Sequence, residues 1–159
     1  MKKEQFFITL HDVFILFLCA CTGIFFAFIW DHYWVRIQLK EYPTDFPFSP
    51  AFFYLFCTVC YLFEGGAYII LSKHSKKFPY GTGITLFWIQ FFLNILWLEV
   101  FFGLKFFGTA LVIVFFSFMI LLGAYYFFRF IKNSAAFMLL PAEALTAFTA
   151  FFNVWFFLL

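Results

Sequence analysis

The sequence is poor in charge. Only 11% of its residues are Asp, Glu, Lys or Arg, against roughly 25% in a water-soluble domain, too few to wet the surface of a globule. That shortage excludes a soluble fold. The net charge of +2, with no basic stripe, excludes nucleic acid as a partner. Histidine is also scarce: His11, His32 and His74 stand far apart in the chain. No nucleophile–base pair, glycine-rich phosphate loop or metal-ligand spacing occurs. We therefore expect a protein that binds rather than catalyses and requires no cofactor. Cysteine is limited to Cys19, Cys21, Cys57 and Cys60. Cys57-x-x-Cys60 has the spacing of a redox or metal pair, but no histidine or second pair accompanies it, so all four are read as small buried hydrophobes.

What is present is apolar. Hydrophobic residues make up 66% of the chain, with 33 Phe and a mean hydropathy of +1.00. The apolar runs are continuous rather than alternating, which favours helices over the strands of a barrel. The reading is an all-α membrane protein, a five-transmembrane-helix bundle forming one domain over 1–159, with spans near 6–30, 50–71, 81–102, 106–128 and 135–158. Met1-Lys2-Lys3 before an apolar run resembles a secretory signal, and Leu18-Cys19-Ala20-Cys21 resembles a lipoprotein cleavage box. The run continues to Trp30, so a spanning helix is expected instead, with His11-Asp12 at its wet end. The one long connection, 31–49, carries Arg36, Lys40, Glu41 and Asp45 together with Pro43 and Pro47, and Pro50 suits the first turn of the next helix.

Five spans put the two ends of the chain on opposite sides. The side of the N-terminus and the second and fourth loops holds seven basic residues (Lys2, Lys3, Lys73, Lys76, Lys77, Arg129 and Lys132), against Arg36, Lys40 and Lys105 on the other. In a bacterial inner membrane this places the N-terminus in the cytoplasm.

Gln90, Asn94, Trp97 and Phe101 recur four, three and four residues apart, so they share one helical stripe. An amide in hydrocarbon needs a partner. Helix-to-helix glue and ligand contact are both open to it. Ala142, Leu145, Thr149 and Phe152 form a second stripe with Asn153 at its edge. Three acids lie inside spans, where they are costly and functional by default: Glu64, Glu99 and Glu143. Glu99 is expected to pair with Lys105 or Arg36. Glu64 and Glu143 each lie about eight residues, or roughly 12 Å, from the basic side. Lys73, Lys76 and Lys77 are within snorkelling reach of Glu64.

The stretch from Gln90 through Asn94, Trp97 and Phe101-Phe102-Gly103 to Lys105, then Gly108 and Ala110-Leu111-Val112, resembles the translocator protein family, the tryptophan-rich sensory proteins. Ala135-Ala136, Leu139-Leu140-Pro141, Ala147-Phe148-Thr149 and Asn153 follow in the family's order. The resemblance is strong over 80–155 and thins upstream, where Trp34 and Lys40 stand for the ends of the first-loop signature and Phe52 for a family Trp.

The resemblance implies five helices and a ligand pocket in the bundle, formed here by Phe52, Gln90, Asn94, Trp97, Phe101, Ala142, Leu145 and Thr149. The implied ligands are porphyrins such as haem and protoporphyrin, with sterol-like and drug-like molecules as further candidates. The implied partners are the bilayer and a second copy in a homodimer. Ala142 and Leu145 replace aromatic residues of the family, and Val154-Trp155-Phe156-Phe157 lacks the tyrosine and basic residue of its sterol signature. The leading expectation is therefore a tetrapyrrole-binding protein acting in sensing or trafficking. The alternative is a proton-coupled transporter using Glu64 and Glu143, and the weakest reading is a membrane isomerase.

Overall fold

A computed structural model describes residues 9–38, 50–74 and 80–158, with the side chains of 33–38, 50, 156 and 157 set aside. The expected roles of Lys2, Lys3, Trp34, Arg36, Lys40, Glu41, Pro43, Asp45, Pro47, Lys76 and Lys77 therefore lie outside the described residues or side chains. The described chain is helical, and no strand occurs in it: α1 (Leu10–Gln38), α2 (Pro50–Ser72), α3 (Tyr80–Leu98), a π turn (Glu99–Gly103), α4 (Phe107–Ile131), α5 (Asn133–Phe137) and α6 (Leu140–Leu158). Five of these segments are long and apolar enough to cross a bilayer, the fifth being α5 and α6 together. The protein is a multi-pass membrane bundle.

The start of α1 is set by polar side chains. Thr9 Oγ1 accepts from Asp12 N at 3.2 Å, while Asp12 Oδ2 accepts from Thr9 N at 2.9 Å. This reciprocal cap satisfies helix-end donors that hydrocarbon would leave bare. The helix thus begins at Leu10 rather than Phe6, and it continues past Trp30 to Gln38. α6 opens with Pro141 in its first turn, where a missing N–H costs nothing. This separates α6 from the short α5, within what reads in sequence as one run.

The helices pack in a ring: α1 on α2, α2 on α5 and α6, α5 and α6 on α4, α4 on α3, with the π turn returning to α1 and α2 also touching α3. Lipid is as apolar as the helix faces, so the ring is held by close packing rather than by exclusion of water. Gly23 shows how close. A Cβ there would stand 2.8 Å from Thr58 Cα and 2.9 Å from Cys57 O, so glycine lets the α1 and α2 backbones touch. Cys19, Cys57 and Cys60 are buried small residues, while Cys21 faces outward; all four are free thiols.

Lys73 Nζ lies 3.1 Å from Asp12 Oδ2, which brings the start of α1 and the end of α2 to one side of the bundle. Lys73 therefore does not snorkel to Glu64. Asp12 at the rim offers it an anion without taking its ammonium into hydrocarbon.

Candidate functional site

All five spans contribute to a cavity at the centre of the ring. Its walls are Phe26 from α1, Cys60, Tyr61 and Glu64 from α2, Asn94 and Trp97 from α3, Val114 from α4, and Ala142, Leu145, Thr146 and Thr149 from α6. The cavity is closed down to about 10 Å³, room for about one water. Most of its polar atoms are tied. The Thr146 and Thr149 hydroxyls each donate to their own helix at 2.9 Å, to Ala142 O and Leu145 O. Ser117 donates to Asn94 Oδ1 at 2.8 Å, and the Tyr61 hydroxyl shares a hydrogen bond with the Asn94 side chain. Asn94 therefore joins α2, α3 and α4 while it also faces the cavity. Glue and lining coexist in one residue.

Above this polar centre the bundle is filled with rings. Trp30 is the hub: its ring centroid lies 4.3 Å from Phe152, 5.2 Å from Phe53, 5.7 Å from Phe102 and 6.0 Å from Trp97. Trp97 stacks on Phe101 at 4.9 Å and on Phe26 at 5.8 Å. With its amide oriented to satisfy both of its atoms, Asn153 accepts from Trp97 Nε1 at 2.8 Å and from Leu111 N at 3.2 Å, and donates to Phe107 O at 3.0 Å. One buried amide thus fixes the indole and joins α3, α4 and α6.

The π turn makes this filling possible. Leu104 N donates to Glu99 O at 2.9 Å and Phe106 N to Val100 O at 3.1 Å, spacings of five and six residues that widen the last turn of α3. Phe101 and Phe102, adjacent in sequence, are both buried there. The turn closes with Lys105 in the left-handed region at φ 57°, a conformation uncommon outside glycine. At Gly103 a Cβ would stand 2.7 Å from Glu99 Oε1, the movable end of an exposed side chain, so the carboxylate rests against the glycine without requiring it. Glu99 is exposed. Among the described residues no ion pair joins it to Lys105, its carboxylate folding back over Gly103 instead, and the Arg36 alternative lies outside the described side chains.

Five of the eight residues proposed for the pocket from sequence line the central cavity: Asn94, Trp97, Ala142, Leu145 and Thr149. Phe101 stands behind Trp97. Gln90 is 0% exposed but does not line the cavity, and neither of its amide atoms has a hydrogen-bond partner. Phe52 is elsewhere. It is 50% exposed on the outer face of α2, whereas Phe53 is 3% exposed and turned toward Trp30. Phe52, Phe53, Phe56 and Phe148 instead enclose a second cavity of about 180 Å³ between α2 and α6.

Glu64 reaches the centre, while Glu143 stays half-buried in the first turn of α6, where the helix dipole favours an acid. The two acids therefore do not share the cavity. Sequence reading missed Phe26, Trp30, Tyr61 and Thr146. Of these, only Trp30 carried a signal, as a tryptophan at the end of an apolar run. Among the described residues no three His, Cys, Asp or Glu side chains converge as metal ligands.

The fold and this site define an integral membrane protein of five spans, closed around an aromatic and polar centre. No curated protein matches the chain. The TspO/MBR family model matches residues 14–158, and the chain belongs to that family. The match includes the upstream half, where the resemblance in sequence is faint.

Proposed function

We propose that the protein binds flat hydrophobic ligands of the tetrapyrrole type inside the bundle and serves in their sensing or trafficking. The observation that carries this reading is the ring cluster around Trp30, beside a polar centre lined by Asn94 and Tyr61. Flat ligands bind between aromatic walls with a few placed polar groups. Phe53 and Phe148 border the outer cavity and lie 5.2 and 6.1 Å from Trp30. Rotation of these rings would join the outer cavity to the central one and make room for a ligand arriving from the bilayer. Family membership agrees with such a role. In a bacterial inner membrane, the excess of basic residues on the Asp12–Lys73 side would put that end at the cytoplasm.

The test is a titration with protoporphyrin in lipid nanodiscs, read by tryptophan fluorescence in the wild type, Trp97→Phe and Trp155→Phe. Trp97 lines the centre, while Trp155 is 52% exposed on the outer face. A ligand bound centrally gives saturable quenching whose amplitude falls in Trp97→Phe and holds in Trp155→Phe. Quenching that does not saturate, or that depends on Trp155 alone, would reject the reading in favour of partition into lipid.

A further inference from the structure

Glu64 is the one acid among the described residues that faces the central cavity. Its residue is 1% exposed, and Oε1 has no hydrogen-bond partner. Around it the donors point elsewhere: Thr146 and Thr149 to their own carbonyls, Ser117 to Asn94. The neighbouring wall is thus left with acceptor capacity and few donors to meet it.

A second buried polar group without a partner stands at the same depth. Ring contacts of Tyr61 with Phe91 at 6.2 Å and of Tyr68 with Phe87 at 5.2 Å set the register of α2 against α3. Glu64 lies between the two tyrosines and Gln90 between the two phenylalanines. Glu64 Oε1 and the Gln90 amide are both left without a partner, and of the two only Glu64 faces the cavity, where a ligand can supply one.

We propose that the central cavity selects flat hydrophobic ligands that present an N–H donor, above all an ammonium group, to Glu64, and disfavours ligands that would place a carboxylate there. This rests on the binding reading above and deepens it by naming the polar group of the ligand. A ligand N–H supplies the partner that Oε1 lacks, and a charge-assisted hydrogen bond in hydrocarbon surroundings is among the stronger single contacts open to a ligand. A ligand carboxylate would bring a second acid into hydrocarbon, and among the described residues no cation lines the cavity to meet it.

Three porphyrins with the same ring, carrying aminoalkyl, carboxyalkyl or methyl-ester arms, test this in nanodiscs of zwitterionic phosphatidylcholine, read by Trp97 quenching. The wild type should bind the amine about tenfold more tightly than the carboxylate, the equivalent of one charged hydrogen bond. Glu64→Gln keeps the shape and removes the acid that can pair with an amine. It should weaken the amine about tenfold and leave the ester within about twofold. Equal wild-type affinity for amine and carboxylate overturns the assignment of Glu64, and so does a preference that survives in Glu64→Gln. Should that variant fail to fold, the wild-type comparison decides alone. Absence of saturable binding by all three probes, the ester included, overturns the binding reading itself.

Discussion

At the end of the bundle where α1 begins and α2 finishes, directional polar contacts tie the helices. Thr9 and Asp12 cap each other, Lys73 reaches Asp12, and His74 Nδ1 lies 2.8 Å from Ile70 O. At the opposite end, where α1 passes Trp30 and α3 widens into its π turn, the contacts are rings on rings with one buried amide, Asn153, among them. The first end can use charge because it borders water. The second is held by rings buried among one another, and lipid is as apolar as they are, so only close fit favours the folded ring over separated helices. The charged end should therefore respond to salt, and the aromatic end to holes.

Trp30→Ala is the sharpest test of that contrast. Deleting the hub leaves the rings of Phe53, Phe102, Phe152 and Trp97 around a void, and the expected loss is on the order of 3 kcal/mol, read as the shift in the unfolding transition in detergent. A change below about 1 kcal/mol would move the anchor of the molecule away from this end. Gly23→Ala probes the crossing between the two ends. Its new Cβ meets backbone rather than a flexible side-chain tip, so α1 must shift, at about 1–3 kcal/mol. Asp12→Asn should have the smallest effect. Asn retains most of the cap, so the loss is chiefly that of a partly buried ion pair, about 1 kcal/mol or less. The wild type should lose stability as salt rises, and the variant should lose little. Equal salt dependence in both would show that Lys73 is not what holds the charged end.

The five helices were legible because continuous apolar length is a property of each segment alone. The amide stripe was legible for a related reason: Gln90 and Asn94 stand out in an apolar helix, and α3 has only one phase in which both turn inward. Phe52 and Phe53 were not separable. They are neighbours of the same type in a helix apolar on nearly every side, so no polar face fixes its rotation. The same lack of contrast hid Phe26, Trp30 and Tyr61. The π turn was invisible because shifting hydrogen bonds by one residue changes the backbone and leaves composition untouched. His11-Asp12 read as the wet end of a span, although Asp12 stands three residues after Thr9, the spacing of a capping box. The partner of Lys73 was not legible, because Asp12, a nearer neighbour across the bundle, took the place of Glu64. Lys105 is likewise not paired with Glu99, whose carboxylate rests over Gly103.

The two indoles at the aromatic end also give the molecule an optical identity. Trp30 and Trp97 stand 6.0 Å apart with their planes inclined by 28°, held in a fixed asymmetric setting by Asn153 and the rings around them. Aromatic groups so immobilised produce near-ultraviolet circular dichroism, which vanishes when side-chain packing loosens even if the helices persist. A spectrum between 260 and 300 nm, a range set by the absorption of aromatic side chains in general, would thus report the opening of the centre without any label. Far-ultraviolet dichroism, dominated by helix, would stay silent through the same event.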